Sequence, residues 1–326
     1  MTRLALAALI LAFAARAEAA DHIKATIPVL ADTAYAMYWI AKDKGYFAAE
    51  NLDVEVVVAG GGVATPALIS GDAQFTGSPG AAIPAILKGA PLKLVLVTQS
   101  HPSYQLWASD PAIKTLADLK GKQVGVISRG DSTEAATRKV LQAAGVDPAS
   151  VAFSAMSFPQ GRATALLNGA LPAAALTFDD VALVEHSPKV HLLADISTMV
   201  SMVVGGAVTS DKMLTAERPL ALRFMRALIK GFRYAKAHKK ETIDILLTRQ
   251  PNTPREHYEI VYDRVHATMT PDGTVADAIA QQAIDENGEV LGIPPERRKT
   301  LAQFVDFSLA RDVNRQLDAE GWKPLP

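Results

Sequence analysis

Residues 25–47, ATIPVLADTAYAMYWIAKDKGYF, read as a β-strand that runs into a loop and then a helix, and residues 124–146, VGVISRGDSTEAATRKVLQAAGV, repeat that order. The first copy continues with LDVEVVVAGGGVATPALISGD at 52–72 and AQFTGSPGAA at 73–82. The second continues with VAFSAMSFPQGRATALLNGAL at 151–171 and PAAALTFDDVAL at 172–183. Each copy is a βαβαβ unit. Such units build a parallel sheet whose loops, at the carboxyl ends of the strands, line a crevice. Two copies in one chain predict an α/β protein of two lobes that face each other across a cleft.

The rest of the chain fits this frame. Its 326 residues, 49% of them hydrophobic, suffice for two cores. A formal net charge of −1 with no basic stripe argues against nucleic acid and anionic membrane as partners. At the N-terminus Arg3 precedes an unbroken apolar run at 4–15, and Ala17-Glu18-Ala19 follows. That order predicts a signal peptide over residues 1–20, cut near Ala19 or Ala20. The run is too short for the roughly 20 apolar residues of a membrane-spanning helix. The chain has no cysteine, so a lipid-anchored leader and disulfides are not expected. The expected product is a soluble, freely diffusing monomer in an exported compartment.

Two stretches predict crossings between the lobes, at 104–108 and at 202–208. They divide the mature chain into a first lobe of 21–106 and 207–326 and a second of 107–206, joined by a two-strand hinge that closes on a ligand. From residue 217 onward the pattern is helical, and this tail is expected to pack back on the first lobe.

Three segments then carry a resemblance. Lys44-Gly45-Tyr46-Phe47 with Glu50-Asn51-Leu52-Asp53-Val54, then Gly71-Asp72-Ala73-Gln74-Phe75, then 113–125 occur in the order seen in substrate-binding proteins of nitrate-, sulfonate- and taurine-type ABC importers. Those proteins are related to thiamine-pyrimidine-precursor binding proteins, and the likeness spans about 23–212. It implies a type II periplasmic binding protein fold of Venus-flytrap form, a small-molecule ligand held at the hinge, and an ABC permease with its ATPase as partner. One departure is Pro172, which stands where the family's second lobe repeats an acid. A pyrimidine-synthase-like enzyme on the same fold is the catalytic alternative. Those enzymes resemble cysteine-rich, intracellular proteins, which this chain is not. No cofactor, metal or catalytic residue is expected, since the histidines are scattered and Ser78 stands in no nucleophile elbow.

The cleft loops supply the candidate ligand groups: Tyr35 and Tyr38, Gly61, Ser78, Ser100 and His101, Ser128, Arg129, Ser132 and Thr133, Phe158 and Arg162, and Thr177 and Asp179. Residues 128–133 join a strand to a helix, where free N–H groups and the helix dipole favour an anion, and Arg129 adds a full charge. Gly125, Gly130 and Ser132 have phosphate-loop spacing, but Asp131 replaces the lysine such a loop needs. Asp131 reads as a helix cap, and Ser78 likewise as a cap for the helix after it. Two helix N-termini aimed at the cleft, with Arg129 or Arg162, predict a small organic anion, a sulfonate or carboxylate with or without an aromatic ring. Asp179 and Asp180 carry the rival, an amine or pyrimidine-type heterocycle, and one of them is expected in an internal salt bridge.

Overall fold

The computed structural model describes residues 19–156 and 161–325, so residues 1–18 of the expected leader and Phe158 lie outside the described residues. Its strands are β1 (Asp21–Ile27), β2 (Leu52–Val58), β3 (Phe75–Thr76), β4 (Leu92–Gln99), β5 (Tyr104–Ala108), β6 (Gln123–Val126), β7 (Ala152–Ala155), β8 (Ala173–Thr177), β9 (His191–Ala194) and β10 (Val204–Ser210). They form two five-stranded sheets with the orders β2-β1-β3-β10-β4 and β7-β6-β8-β5-β9. The helices that position the site are α1 (Ala36–Asp43), α2 (Gly61–Ser70), α3 (Pro79–Leu87), α4 (Ser132–Ala143), α5 (Gly161–Leu167), α6 (Phe178–Val184), α7 (Arg218–Ala237), α8 (Arg255–Thr268) and α9 (Asp277–Val290).

The two copies of the repeat become equivalent halves of the two sheets. β1 pairs in parallel with β2 and β3, and β6 pairs in parallel with β7 and β8. Each sheet then takes one antiparallel strand from the chain's passage between lobes. β10 lies between β3 and β4, and β5 lies between β8 and β9. β5 belongs wholly to the second sheet and β10 wholly to the first, so the crossings are 100–103 and 195–203, a few residues before the expected boundaries.

Sequence pattern accounts for the layers. β4 is an almost unbroken apolar run and is buried along nearly its whole length, whereas the edge strand β2 starts with apolar residues inward and charged ones outward. The helical tail returns to the first sheet. Phe224 of α7 stacks on Phe75 of β3 with ring centroids 3.8 Å apart, and Tyr258 and Tyr262 of α8 join the same core. Under the second sheet Val124, Val126 and Phe153 pack against Ala136 and Val140 of α4, while Trp107 and Leu176 face Leu166 of α5 and Val181 of α6.

The lobes meet. Arg264 of α8 reaches Glu185 beyond α6 at 2.6 Å, and Lys139 of α4 pairs with Glu286 of α9. In β10, just after the return crossing, Gly206 has φ 129°, and a Cβ there would lie 2.0 Å from the Leu96 carbonyl oxygen. Its own carbonyl accepts the Tyr38 hydroxyl at 2.8 Å. Gly206→Ala is therefore expected to cost about 3 kcal/mol or more in urea unfolding, from strain and overlap together. An unchanged unfolding midpoint would contradict this account of the crossing.

Candidate functional site

The carboxyl ends of β1, β3, β6 and β8 converge between the lobes. After β1 the chain makes a short turn capped by Asp32, whose carboxylate accepts the Ala34 N–H at 2.7 Å. The turn presents Tyr35 toward Tyr104, the first residue of β5. Tyr104 in turn shares a 2.7 Å hydrogen bond with the Ser132 hydroxyl at the start of α4. From the first lobe α3 meets this point, since a Cβ on Gly80 would lie 3.2 Å from the Ser132 Cβ. Two helix N-termini thus touch across the closed cleft.

The positive end of α4 is already matched. Asp131 accepts the N–H groups of Thr133 at 3.1 Å and Glu134 at 3.0 Å, and Glu134 accepts the Gly130 N–H at 2.9 Å. Arg129 donates to Glu134 at 2.8 Å and to the Phe153 carbonyl at 3.1 Å, and Arg138 holds the same carboxylate. Burial raises the pKa of Glu134, but its bonds from Gly130, Arg138 and Arg129 outweigh this and hold it below the usual carboxylate range. Among the described residues, Arg129 is thus engaged by Glu134 and the Phe153 carbonyl.

Arg162 is engaged too. It is buried, donates to the carbonyls of Ala175 at 3.1 Å and Met156 at 2.9 Å, and pairs with Asp180. This is the internal salt bridge expected of one of the two aspartates. The other, Asp179, is partly exposed and lies 3.5 Å from Nε2 of His257 on α8. Asp32 faces this pair with no cation bonded to it among the described residues. Burial, then the charge of Asp179 and more weakly that of Asp180, push its pKa up to about 8 against the Ala34 bond. The same enclosure raises the Tyr35 hydroxyl well above its ordinary value, with Tyr104, Asp32, Tyr38 and Asp131 contributing.

The structure thus brings together Tyr35, Ser132 and Asp179 of the expected ligand groups, and corrects others. Tyr38 is fully buried, its hydroxyl engaged by Gly206. Gly61 serves packing, because a Cβ there would lie 2.2 Å from the Ala81 Cβ. Thr133 is buried and bonded to Asp131 and to the Ile127 N–H. Ser128 is exposed and its N–H turns to Asp131, while the Thr177 hydroxyl caps α6. Ser100 and His101 bond to each other at 3.2 Å. His101 lines a cavity of about 450 Å³ with Gln105, Phe178, Asp195, Arg264 and Thr268. Ser78 does not cap α3 as expected. It is buried, with no partner for its hydroxyl among the described residues. The residues missed are Asp32, Tyr104, Asp131 and His257. Asp131 was legible only as a cap, and nothing in the pattern of α8 points its His257 at Asp179.

With this geometry in hand, the comparisons become informative. The NMT1/THI5 like family matches residues 32–242. The chain belongs to this family. A protein of Bordetella bronchiseptica RB50 superposes on this NMT1/THI5-like chain with a TM-score of 0.80 at 21% identity, covering 92% of this chain and 98% of the other. The periplasmic aliphatic sulphonate binding protein SsuA from Escherichia coli gives 0.71 at 16% identity, covering 89% and 99%. The latter likeness shows the periplasmic binding protein fold. Among curated relatives, the riboflavin-binding protein RibY of Chloroflexus aurantiacus is 26% identical over 222 residues, which is 65% of this chain and 62% of that protein. The match thus spans less than two thirds of the length of that relative.

The buried pair generates a prediction about stability. Arg162→Ala leaves Asp180 uncompensated in the core of the second lobe and is expected to cost about 3 to 5 kcal/mol in chemical unfolding, with partial rescue by adding Asp180→Asn. Full stability with lost ligand binding would instead mark Arg162 as a ligand group.

Proposed function

We propose that this chain is the solute-binding receptor of an ABC importer, exported to the periplasm, where it captures a small nitrogen heterocycle or amine by lobe closure and presents it to a permease with its ATPase. The observation that carries the ligand class is the charge pattern of the cleft. Arg129 and Arg162 are both engaged by carboxylates and backbone, and the N–H groups at the start of α4 already have Asp131 and Glu134. The anion expected from these same groups loses its partners. Asp32 on one lobe and Asp179 on the other remain as acceptors, with Tyr35 and Tyr104 as aromatic walls.

The family and the fold support the receptor reading. The name of the riboflavin-binding relative accords with a ring bearing N–H donors, whereas the sulphonate-binding neighbour, at 16% identity, supports the fold alone. None of the described helices is long and apolar enough to cross a membrane. The reading is one of capture without turnover, by a monomer.

The test is a thermal-shift panel on protein refolded free of carried-over solute, with aliphatic sulfonates, carboxylates, flavins, aminopyrimidines and polyamines, followed by calorimetry. Stabilisation is expected from the nitrogen compounds. Asp32→Asn should then weaken the best of them tenfold or more, about 1.4 kcal/mol, and Arg129→Ala by less than about twofold. Saturable binding of a sulfonate that Arg129→Ala abolishes would overturn the ligand class.

A further inference from the structure

Helix α8 lies along the seam between the lobes and presents a different face to each. Toward the first lobe, the Tyr258 hydroxyl donates to the Ala31 carbonyl at 3.0 Å and the Tyr262 hydroxyl to the Ala235 carbonyl at 2.5 Å, so the helix is fixed there. Toward the second lobe it turns His257, Val261, Arg264 and Val265, which follow one another along a single helical stripe. His257 stands 3.5 Å from Asp179 of α6, and Arg264 reaches Glu185 just beyond α6 at 2.6 Å. Between them Val261 and Val265 form one apolar cluster with Ala34, of the turn after β1, and with Phe178, the first residue of α6. Phe178 is 4% exposed, Val261 0% and Val265 1%. A ring from the second lobe is thus seated in a socket built by the first.

The socket sits beside the hinge and runs outward from it. The Phe178 N–H donates to the Ser103 carbonyl of the first crossing at 3.0 Å. Gln99 donates to the hydroxyls of Ser103 at 2.6 Å and of Thr268, the last residue of α8, at 2.7 Å. His257 lies about three turns, or roughly 16 Å, along the helix from that end. Swinging the lobes apart about the crossings must therefore draw the Phe178 ring out of its socket and bring Val261 and Val265 into water, which is unfavourable in proportion to the apolar area exposed.

We infer that Phe178 in its α8 socket, with the Arg264–Glu185 pair beside it, is the latch of the closed receptor, and that these positioning residues set the affinity for every solute. Val261 and Val265 are enclosed by protein, so their effect on a solute comes through closure and not through contact. The inference rests on the receptor reading above and deepens it. Apparent affinity scales with the fraction of chains in the binding-competent form. A variant that loosens the latch should weaken all solutes by one common factor and leave their order unchanged.

The chain has no cysteine, so a dye pair on Val63→Cys and Ser128→Cys, exposed positions on the two lobes, reports closure by energy transfer in solute-free full-length protein. Val261→Ala and Val265→Ala are each expected to lower the closed-to-open ratio about fivefold, and Phe178→Ala about tenfold or more. Arg264→Ala removes the partner of Glu185 through a partly exposed side chain and gives a second route to a lower ratio without a core deletion. Circular dichroism and the urea midpoint check that each variant is folded. Transfer equal to that of the parent in both Phe178→Ala and Arg264→Ala would overturn the inference. Equal transfer in a protein that binds an amine or heterocycle of the panel refutes the latch alone. Transfer that falls in these variants, in a protein that no compound of the panel stabilises, supports the latch and refutes the ligand class alone.

Discussion

Each sheet of this molecule is completed by a strand that arrives from the other lobe, and the site depends on that exchange. β10 is hydrogen-bonded between β3 and β4, and β5 between β8 and β9. A sheet without its inner strand would leave two rows of buried backbone groups without partners, so neither lobe is complete until the chain has crossed twice. The crossings also fix where the strand ends point. The loops after β1 and β3 in one lobe and after β6 and β8 in the other are aimed at one another, which places Asp32 opposite Asp179 and α3 against α4. Gly206, in β10 just after the second crossing, fits because it has no Cβ and adopts a backbone conformation that other residues avoid.

Among the described residues, several charges near the cleft are matched within one lobe. Glu134 lies between two arginines, and Asp180 is held by Arg162. These pairs stay within one lobe and persist whether it is open or closed. Asp32 and Asp179 differ in kind, because they stand on opposite lobes and feel each other's charge only when the lobes meet. Bringing two like charges out of water is unfavourable, and a partner of opposite charge or a donor hydrogen turns that cost into selectivity. The ion pairs Lys139–Glu286 and Arg264–Glu185 span the lobes on other faces and favour closure. Their attraction and the repulsion in the cleft set the balance that a ligand shifts.

The parts of the fold that depend on period and order were legible in the sequence. The repeated βαβαβ pattern gave both sheets, whereas the two segments read as crossings are largely sheet strands, β5 and β10, and the chain passes between the sheets just before each. The return of the helical tail to the first lobe followed from the second crossing. The site was legible in its loops but not in its bonds. Asp131 with Glu134 three residues on has the spacing of a helix cap with a carboxylate at the third position, and Arg138 follows Glu134 by one turn. That pattern contained the fate of Arg129, although a charge on a cleft loop invited a ligand role. Arg162 and Asp180 sit on neighbouring helices 18 residues apart, and only the packing of α5 against α6 joins them. Tyr38 lies one helical turn after Tyr35, which carries it from the rim into the core.

The central claim is that the cleft selects a donor of positive character held between two acids. A crystal structure of the protein with its captured solute tests this most directly. The account predicts a nitrogen of the solute within about 3.2 Å of both the Asp32 and Asp179 carboxylates, with Arg129 and Arg162 still on Glu134 and Asp180. A sulfonate or carboxylate seated on the start of α4, with Arg129 swung away from Glu134 to meet it, would contradict it.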